Sequence, residues 1–275
     1  MAPVRSVAVL GAGGTMGAPM AARLADAGLD VTPWSRGEDL AAAVGGRDAV
    51  LTMHPDAEAV LEVAQRALPG ARDGVLWLQM STIGIEGTER CAELAQRHGA
   101  VLVDAPVLGT KQPAEQGQLV VLASGPDAAL DRGAPVFEAV GQRTMRLGPA
   151  GAGTGLKLVV NAWLVALVEG MAESLALAEG LGLDPQRFLE AVGGGGLDLP
   201  YLRLKAPMML ERDFPPSFSL RLAAKDARIA VEAAQRHDLD LPVLAAIAER
   251  LTAGAQEHGD EDMAATFRLS APGLG

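Results

Sequence analysis

The sequence predicts an α/β fold in which a parallel-sheet domain, residues 1–152, is followed by an all-helical domain, residues 153–275. Three observations predict it. Short β-branched runs alternate with Ala-rich helical stretches through the first half. A glycine-rich turn follows the first of those runs, and strand signals stop after the Gly148 to Gly153 segment. Strands are expected at 6–10, 30–34, 49–53, 75–79, 101–104, 119–123 and 144–147. From 154 to 180 runs one apolar helical pattern, too long for an ordinary crossover, with further helices at 184–192, 219–236 and 240–257. Gly193 to Gly196 reads as a flexible loop between helices, because no strand precedes it, and Pro215-Pro216 as a break before the next helix.

The chain has 275 residues, enough for two domains at roughly 100 to 200 residues each. With 49% hydrophobic and 21% charged residues it can bury sizeable cores, which excludes disorder for most of its length. A formal net charge of -11 argues against binding nucleic acid, and three Trp, one Tyr and five Phe leave little to stack on bases. The lone Cys91 cannot form an internal disulfide, so a reducing cytoplasm is the expected compartment. No signal peptide is apparent, and the apolar stretch 156–168 contains Lys157 and Asn161 and is shorter than the ~20 residues a bilayer needs. A soluble protein with no membrane partner is expected.

Strand, glycines and helix follow one another in Val7–Leu10, then Gly11-Ala12-Gly13-Gly14-Thr15-Met16-Gly17, then the helical run from Ala18. Bare backbone lets a pyrophosphate approach amides at the positive end of a helix, so this loop is read as the cofactor cradle of a Rossmann-type domain. The last glycine comes one residue late, with Met16 at the sixth position. The second strand should select the cofactor, since NAD sites offer an acid there and NADP needs positive charge for a 2′-phosphate. Here Trp34-Ser35-Arg36 brings a hydroxyl and a guanidinium, with no acid until Glu38, which favours NADP, and NADPH over NADH. Met53 and His54, at the end of the third strand, are placed beside the cofactor, although a loop histidine is most often simply solvated.

In the run 156–168 the two strongly polar side chains, Lys157 and Asn161, are four residues apart. On a helix they share a face, and the apolar residues around them suggest burial on nearly all sides. A buried ammonium must be paired, or its pKa falls from ~10.4 toward the range useful to a general acid or base. Alternatively, the lysine stem packs while its amine reaches water.

Gly11 to Met20, Ser81-Thr82-Ile83, Asp104 to Lys111, Gly153 to Lys157 with Asn161, and Phe218 to Asp226 together resemble the β-hydroxyacid dehydrogenase family, over almost the whole chain. The run Gly109 to Leu119 is most similar to its glyoxylate/succinic semialdehyde reductase branch. The resemblance implies a dinucleotide domain, a helical domain that forms a homodimer, and an active site in the cleft between them. It implies that Lys157 protonates the carbonyl oxygen of a small-molecule substrate, or takes the hydroxyl proton in reverse, while Asn161 orients substrate and lysine. Thr82 would lie near nicotinamide and substrate, and amides of Gly109 and Thr110 would hold a carboxylate. Phe218, Lys225 and Asp226 would close the cleft, Lys225 toward the cofactor and Asp226 toward the substrate. Hydride transfer needs its carbons held near ~3 to 3.5 Å while one group supplies a proton, and this arrangement meets that need.

Departures from the family pattern shape the expectation. Leu108 stands where the family usually has serine and cannot hydrogen-bond a substrate, which favours a more apolar one. Only 12 residues, 36–47, precede the next strand, so the edge strand of the 3-2-1-4-5-6 order should be missing. An imine reductase shares the architecture, but commonly has another residue at the lysine position. A scaffold or sensor that binds NADP without turnover is the rival from another class. Cys91 is expected to be packed in a helix; His98, His237 and His258 lie at helix ends, where the dipole explains them. Glu169, Glu173 and Glu179 suggest an exposed or dimer-facing stripe, and no cluster offers metal-ligand spacing.

Overall fold

The computed structural model describes residues 2–271. The chain forms two compact units, Met1–Lys157 and Leu158–Gly275. The first is built on five parallel strands: β1 (Ser6–Leu10), β2 (Asp30–Trp34), β3 (Ala49–Thr52), β4 (Leu76–Gln79) and β5 (Val101–Asp104). Their order is β2-β1-β3-β4-β5. Chain order reverses at β1, so the loops after β1 and β3 diverge there and leave a crevice beyond the carboxyl ends of the strands. The sheet ends at β2, as the shortened segment predicts. In place of an edge strand the chain makes one short helix, α2 (Leu40–Val44), capped by the Asp39 side chain on the Ala42 amide.

Successive residues of a strand point to opposite faces, and both faces of this sheet are covered. Val7, Val9, Leu51 and Leu78 pack into one apolar cluster, Ala8, Leu10, Val50 and Trp77 into the other. The helices that cover them are α1 (Gly17–Asp26), α2, α3 (Ala57–Ala67), α4 (Gly84–Arg97) and α6 (Asp127–Val140). Cys91 is fully buried on α4, as expected, and burial pushes its thiol up to about 12.

A second sheet, of three strands, follows the parallel one in the chain. Strands β6 (Val107–Leu108), β7 (Leu119–Ala123) and β8 (Gly141–Arg146) lie in the order β6-β7-β8, with β6 antiparallel to β7 and β7 parallel to β8. A two-residue strand shows no alternation, which is why β6 is invisible in the sequence. The chain returns from it through α5 (Lys111–Glu115), a connection short enough for an antiparallel pairing.

The second unit is helical. It takes most of α7 (Ala152–Gly180), then α8 (Gln186–Val192), α9 (Pro200–Glu211), α10 (Leu220–Arg236), α11 (Pro242–His258), a 3-10 turn (Met263–Thr266) and α12 (Phe267–Ser270). Helix α9 escapes the sequence reading because it carries Pro207 in its interior and no one-sided apolar stripe. His98 and His237 are the C-caps of α4 and α10.

Helix α7 is long and apolar enough to cross a bilayer by length and composition alone. Its buried face packs as a core helix, through Val165, Val168, Met171, Ala172 and Leu175. Burial on nearly all sides is corrected, however, since Val159, Trp163 and Leu177 are exposed. At ~100° per residue these three fall on one stripe, roughly opposite Lys157 and Asn161. Glu169 also departs from the exposed stripe expected of it: it is buried, bonded to Thr266 Oγ1 and, at 3.0 Å, to Arg250 Nε. Burial pushes its carboxyl up, against those two partners. Glu173 is exposed and Glu179 half-buried.

Candidate active site

The glycine loop is held by close backbone approaches that admit no side chain. Gly11 has φ +100°, and a Cβ there would meet Met53 O at 2.2 Å; one at Gly17 would meet Gly11 O at 2.1 Å. A Cβ at Gly13 would stand 3.0 Å from Ser35 Oγ, so the loop also lies against the end of β2. No side chain caps the amino end of α1, and no acid occupies its first turn. The partial positive charge of that helix end is therefore left for an anion. These features fit a dinucleotide's pyrophosphate, with Gly11 to Gly17 as the residues that would hold it.

Around that crevice the parallel strands deliver the other expected residues of the first unit. Ser35 and Arg36 follow β2 in a turn closed by Glu38, whose carboxylate accepts the Ser35 amide at 2.5 Å and whose carbonyl accepts Trp34 Nε1 at 3.0 Å. The acid expected to be remote is thus folded back to the strand end. Met53 and His54 follow β3, and the His54 ring abuts Gly11, its Cε1 3.3 Å from where a Cβ would be. His54 is half-buried instead of solvated, its Nε2 shielded and without a hydrogen-bond partner among the described residues. Burial pushes its ring below the ordinary histidine value, with Asp56 opposing. Its amide donates to Ser81 Oγ at 2.7 Å, tying the end of β3 to the segment after β4 that carries Thr82. Leu108, on β6, is half-buried, and Gly109 follows at φ +121° with a Cβ position 2.7 Å from Leu119 Cδ2. Thr110 is the N-cap of α5 and makes no capping bond with its side chain.

Helix α7 begins on a buried polar knot that sequence reasoning missed. Asp104, at the end of β5, accepts the Thr154 amide and Thr154 Oγ1, both at 2.8 Å, and Ser124 Oγ at 3.1 Å. Thr154 Oγ1 also meets Thr88 Oγ1 at 3.1 Å, and the Gly153 amide donates to Ser124 Oγ at 2.9 Å. Burial pushes the Asp104 carboxyl up, and the bonds from Thr154 and Ser124 work against that. The knot fixes the start of the helix one turn before Lys157. Its only sequence signal was the Asp104-Ala105-Pro106 run, which does not say what the carboxylate binds.

Lys157 is half-buried, and Asn161, one turn later, is buried on the same face of α7. Within the second unit Asn161 Nδ2 donates to Asp226 Oδ2 at 2.5 Å, while Asp226 Oδ1 is 2.9 Å from Lys225 Nζ. The structure therefore brings Asn161, Lys225 and Asp226 together. Phe218 is half-buried ahead of α10; its amide donates to Asp262 Oδ2 at 3.2 Å and its carbonyl accepts the Met263 amide at 2.8 Å.

A Gly-rich loop at the switch point of a parallel sheet, followed by a helix bearing a lysine and an asparagine on one face, defines the class: an NAD(P)-dependent oxidoreductase. Residues 6–148 match the model of the NAD binding domain of 6-phosphogluconate dehydrogenase. Residues 151–270 match that described as NAD-binding of NADP-dependent 3-hydroxyisobutyrate dehydrogenase. The chain belongs to the β-hydroxyacid dehydrogenase family and is 3-hydroxyisobutyrate dehydrogenase-like. It is a dehydrogenase or reductase acting on CH–OH or C=O groups. It is 32% identical to glyoxylate/succinic semialdehyde reductase 2, chloroplastic, of Arabidopsis thaliana, over 95% of this chain and 78% of that protein. It is 30% identical to a probable 3-hydroxyisobutyrate dehydrogenase of Mycobacterium tuberculosis, over 95% of this chain and 96% of that one. Among solved structures, Mycobacterium tuberculosis 3-hydroxyisobutyrate dehydrogenase with L-serine superposes with a TM-score of 0.88 at 29% identity, covering 97% of this chain and 99% of that one.

Proposed function

We propose that this protein is an NADPH-preferring reductase of a small aldehyde, semialdehyde or keto acid, or oxidises the matching β-hydroxyacid, with Lys157 as general acid or base. The observation that carries this reading is the pairing of Lys157 and Asn161 on one face of α7, in a chain whose glycine loop fits a dinucleotide. A bound nicotinamide supplies or accepts the hydride. Lys157 gives the carbonyl oxygen its proton as charge develops there, and takes a hydroxyl proton in reverse. Thr82 lies toward the reacting carbon, and amides of Gly109 and Thr110 hold the substrate's acidic group. Leu108 lines that wall with apolar surface and favours a substituent larger than that of glyoxylate.

The cofactor preference rests on Ser35 and Arg36, with the Glu38 carboxylate as the competing group that an NAD ribose would need. A spectrophotometric screen of NADPH and NADH over glyoxylate, succinic semialdehyde, methylmalonate semialdehyde and a cyclic imine tests both parts. Faster oxidation of NADPH with a semialdehyde is expected. A charge-assisted hydrogen bond is worth ~1.5 to 3 kcal/mol, so Arg36→Ala should raise KM for NADPH by roughly 10 to 100-fold and leave that for NADH unchanged. Equal use of the two cofactors would sink the preference; turnover of the imine alone, or of nothing, would sink the reaction.

The exposed apolar stripe of α7, Val159, Trp163 and Leu177, supports a homodimer built by two copies of this helix. Light scattering should give twice the 28.3 kDa chain mass and Trp163→Glu should halve it; a wild-type monomer would refute the pairing.

A further inference from the structure

We infer that Asp226 is a positioning residue: its carboxylate turns the Asn161 amide so that the nitrogen faces Asp226 and the carbonyl Oδ1 is the end offered on the face shared with Lys157. The inference rests on the reading of that face as the catalytic one, and it reassigns Asp226 from contacting substrate to acting through Asn161.

The chemistry of the contact dictates the orientation. Asn161 and Asp226 are 1% and 3% exposed, so water cannot substitute for either partner. The 2.5 Å contact joins Asn161 Nδ2 to Asp226 Oδ2. An ionised carboxylate has no hydrogen to give, and an amide oxygen at that distance would set two acceptors against each other. The Lys225 ammonium lies 2.9 Å from Oδ1, so each oxygen of the Asp226 side chain faces a nitrogen that donates. Only the rotamer with nitrogen inward is left, and the oxygen is then available to a donor: an ammonium, or the hydroxyl of the alcohol. Asn161 is thus an acceptor at the site, a role that its side chain, having both ends, does not specify by itself. Local sequence cannot reveal it either, because the partner is 65 positions away.

Asp226→Asn frees the amide to adopt either orientation and removes a negative charge from that side of the helix. The side-chain amide of Asn161, assigned by its loss in Asn161→Ala, should be strongly deshielded and slow to exchange in the NMR spectrum of the cofactor-free protein, and should lose both properties in Asp226→Asn. In turnover, Asp226→Asn should lower kcat about tenfold or more with the dinucleotide Kd unchanged. The alkaline limb of kcat against pH, where the general acid loses its proton, should move to lower pH. The exchanged pair Asn161→Asp with Asp226→Asn restores the hydrogen bond with its direction reversed, donated now from position 226, and again leaves an acceptor oxygen outward at position 161; it should recover most of the lost kcat. A purely structural role would shift only the melting temperature, and that result, with kcat and the limb unmoved, overturns the proposal. So does an Asn161 amide with ordinary exchange in the wild-type protein. Lys157→Ala separates the two readings: if it leaves turnover intact while the NMR signature holds, the catalytic face is wrong and the positioning of Asn161 stands.

Discussion

Lys157→Ala should lower kcat by about 10² to 10⁴-fold, or ~3 to 5 kcal/mol of transition-state stabilisation, while dinucleotide affinity stays at the wild-type value. The size follows from what is removed. A carbonyl oxygen that gains electrons from a hydride must also gain a proton, and the function proposed above assigns that proton to Lys157. The helix that carries it is fixed at its start by Asp104, Ser124 and Thr154, so truncating one side chain a turn later leaves the backbone in place. The glycine loop and Ser35-Arg36 lie on other elements, which is why cofactor binding should survive. Stopped-flow single-turnover rates with NADPH and titration of its fluorescence measure the two quantities separately. Turnover within threefold of wild type would remove Lys157 from the chemistry; a parallel loss of NADPH affinity would show that its role is in binding.

The second large effect concerns stability. Lys205 and Asp262 are both fully buried, Nζ to Oδ1 at 2.6 Å, and Lys205 also donates to Ser217 Oγ at 3.0 Å. Asp262 accepts the amides of Ser217 at 3.0 Å, Phe218 at 3.2 Å and Ala264 at 3.1 Å, so the pair holds the entry to α10 and the turn that follows α11. Burial pushes the Asp262 carboxyl up, but Lys205 and those amides outweigh it and hold it below the ordinary value. Lys205→Met fills similar volume yet leaves a buried carboxylate with no cation, a change that typically costs about 3 to 5 kcal/mol. For a chain of this size the melting temperature should fall by about 6 to 20 °C. Asp262→Asn added to Lys205→Met should recover part of it, because the charge is gone while a carbonyl still accepts from Ser217 and Phe218. The pH dependence has a definite sign. In the wild type the lowered carboxyl stabilises the fold above the ordinary aspartate value, and this is lost as pH falls through the folded one. In Lys205→Met the orphaned carboxyl is raised instead, so the deficit should shrink toward acid as it takes up a proton. A melting temperature within two or three degrees of wild type, at neutral pH, would show that water reaches Asp262.

Strands β1, β2 and β5, the glycine loop and helices α10 and α11 were legible because each rests on local signals: alternation, periodicity, glycine and caps. The missing edge strand was legible from loop length alone. The short β6 and the proline-bearing α9 were not, since neither carries a period long enough to read.

Among the candidate residues the same division holds. The i, i+4 spacing put Lys157 and Asn161 on one helix face, and strand order put Gly11, Ser35, Met53 and Thr82 at one edge of a sheet. The sequence by itself thus determined which groups are available and on which element each stands. Tertiary structure decided which of them touch. It buried Glu169 against Arg250 and Thr266, folded Glu38 back onto Ser35, and set Asp226 against Asn161. A hydrogen bond between helices depends on how two surfaces close in space, and the identity of neither partner encodes that distance.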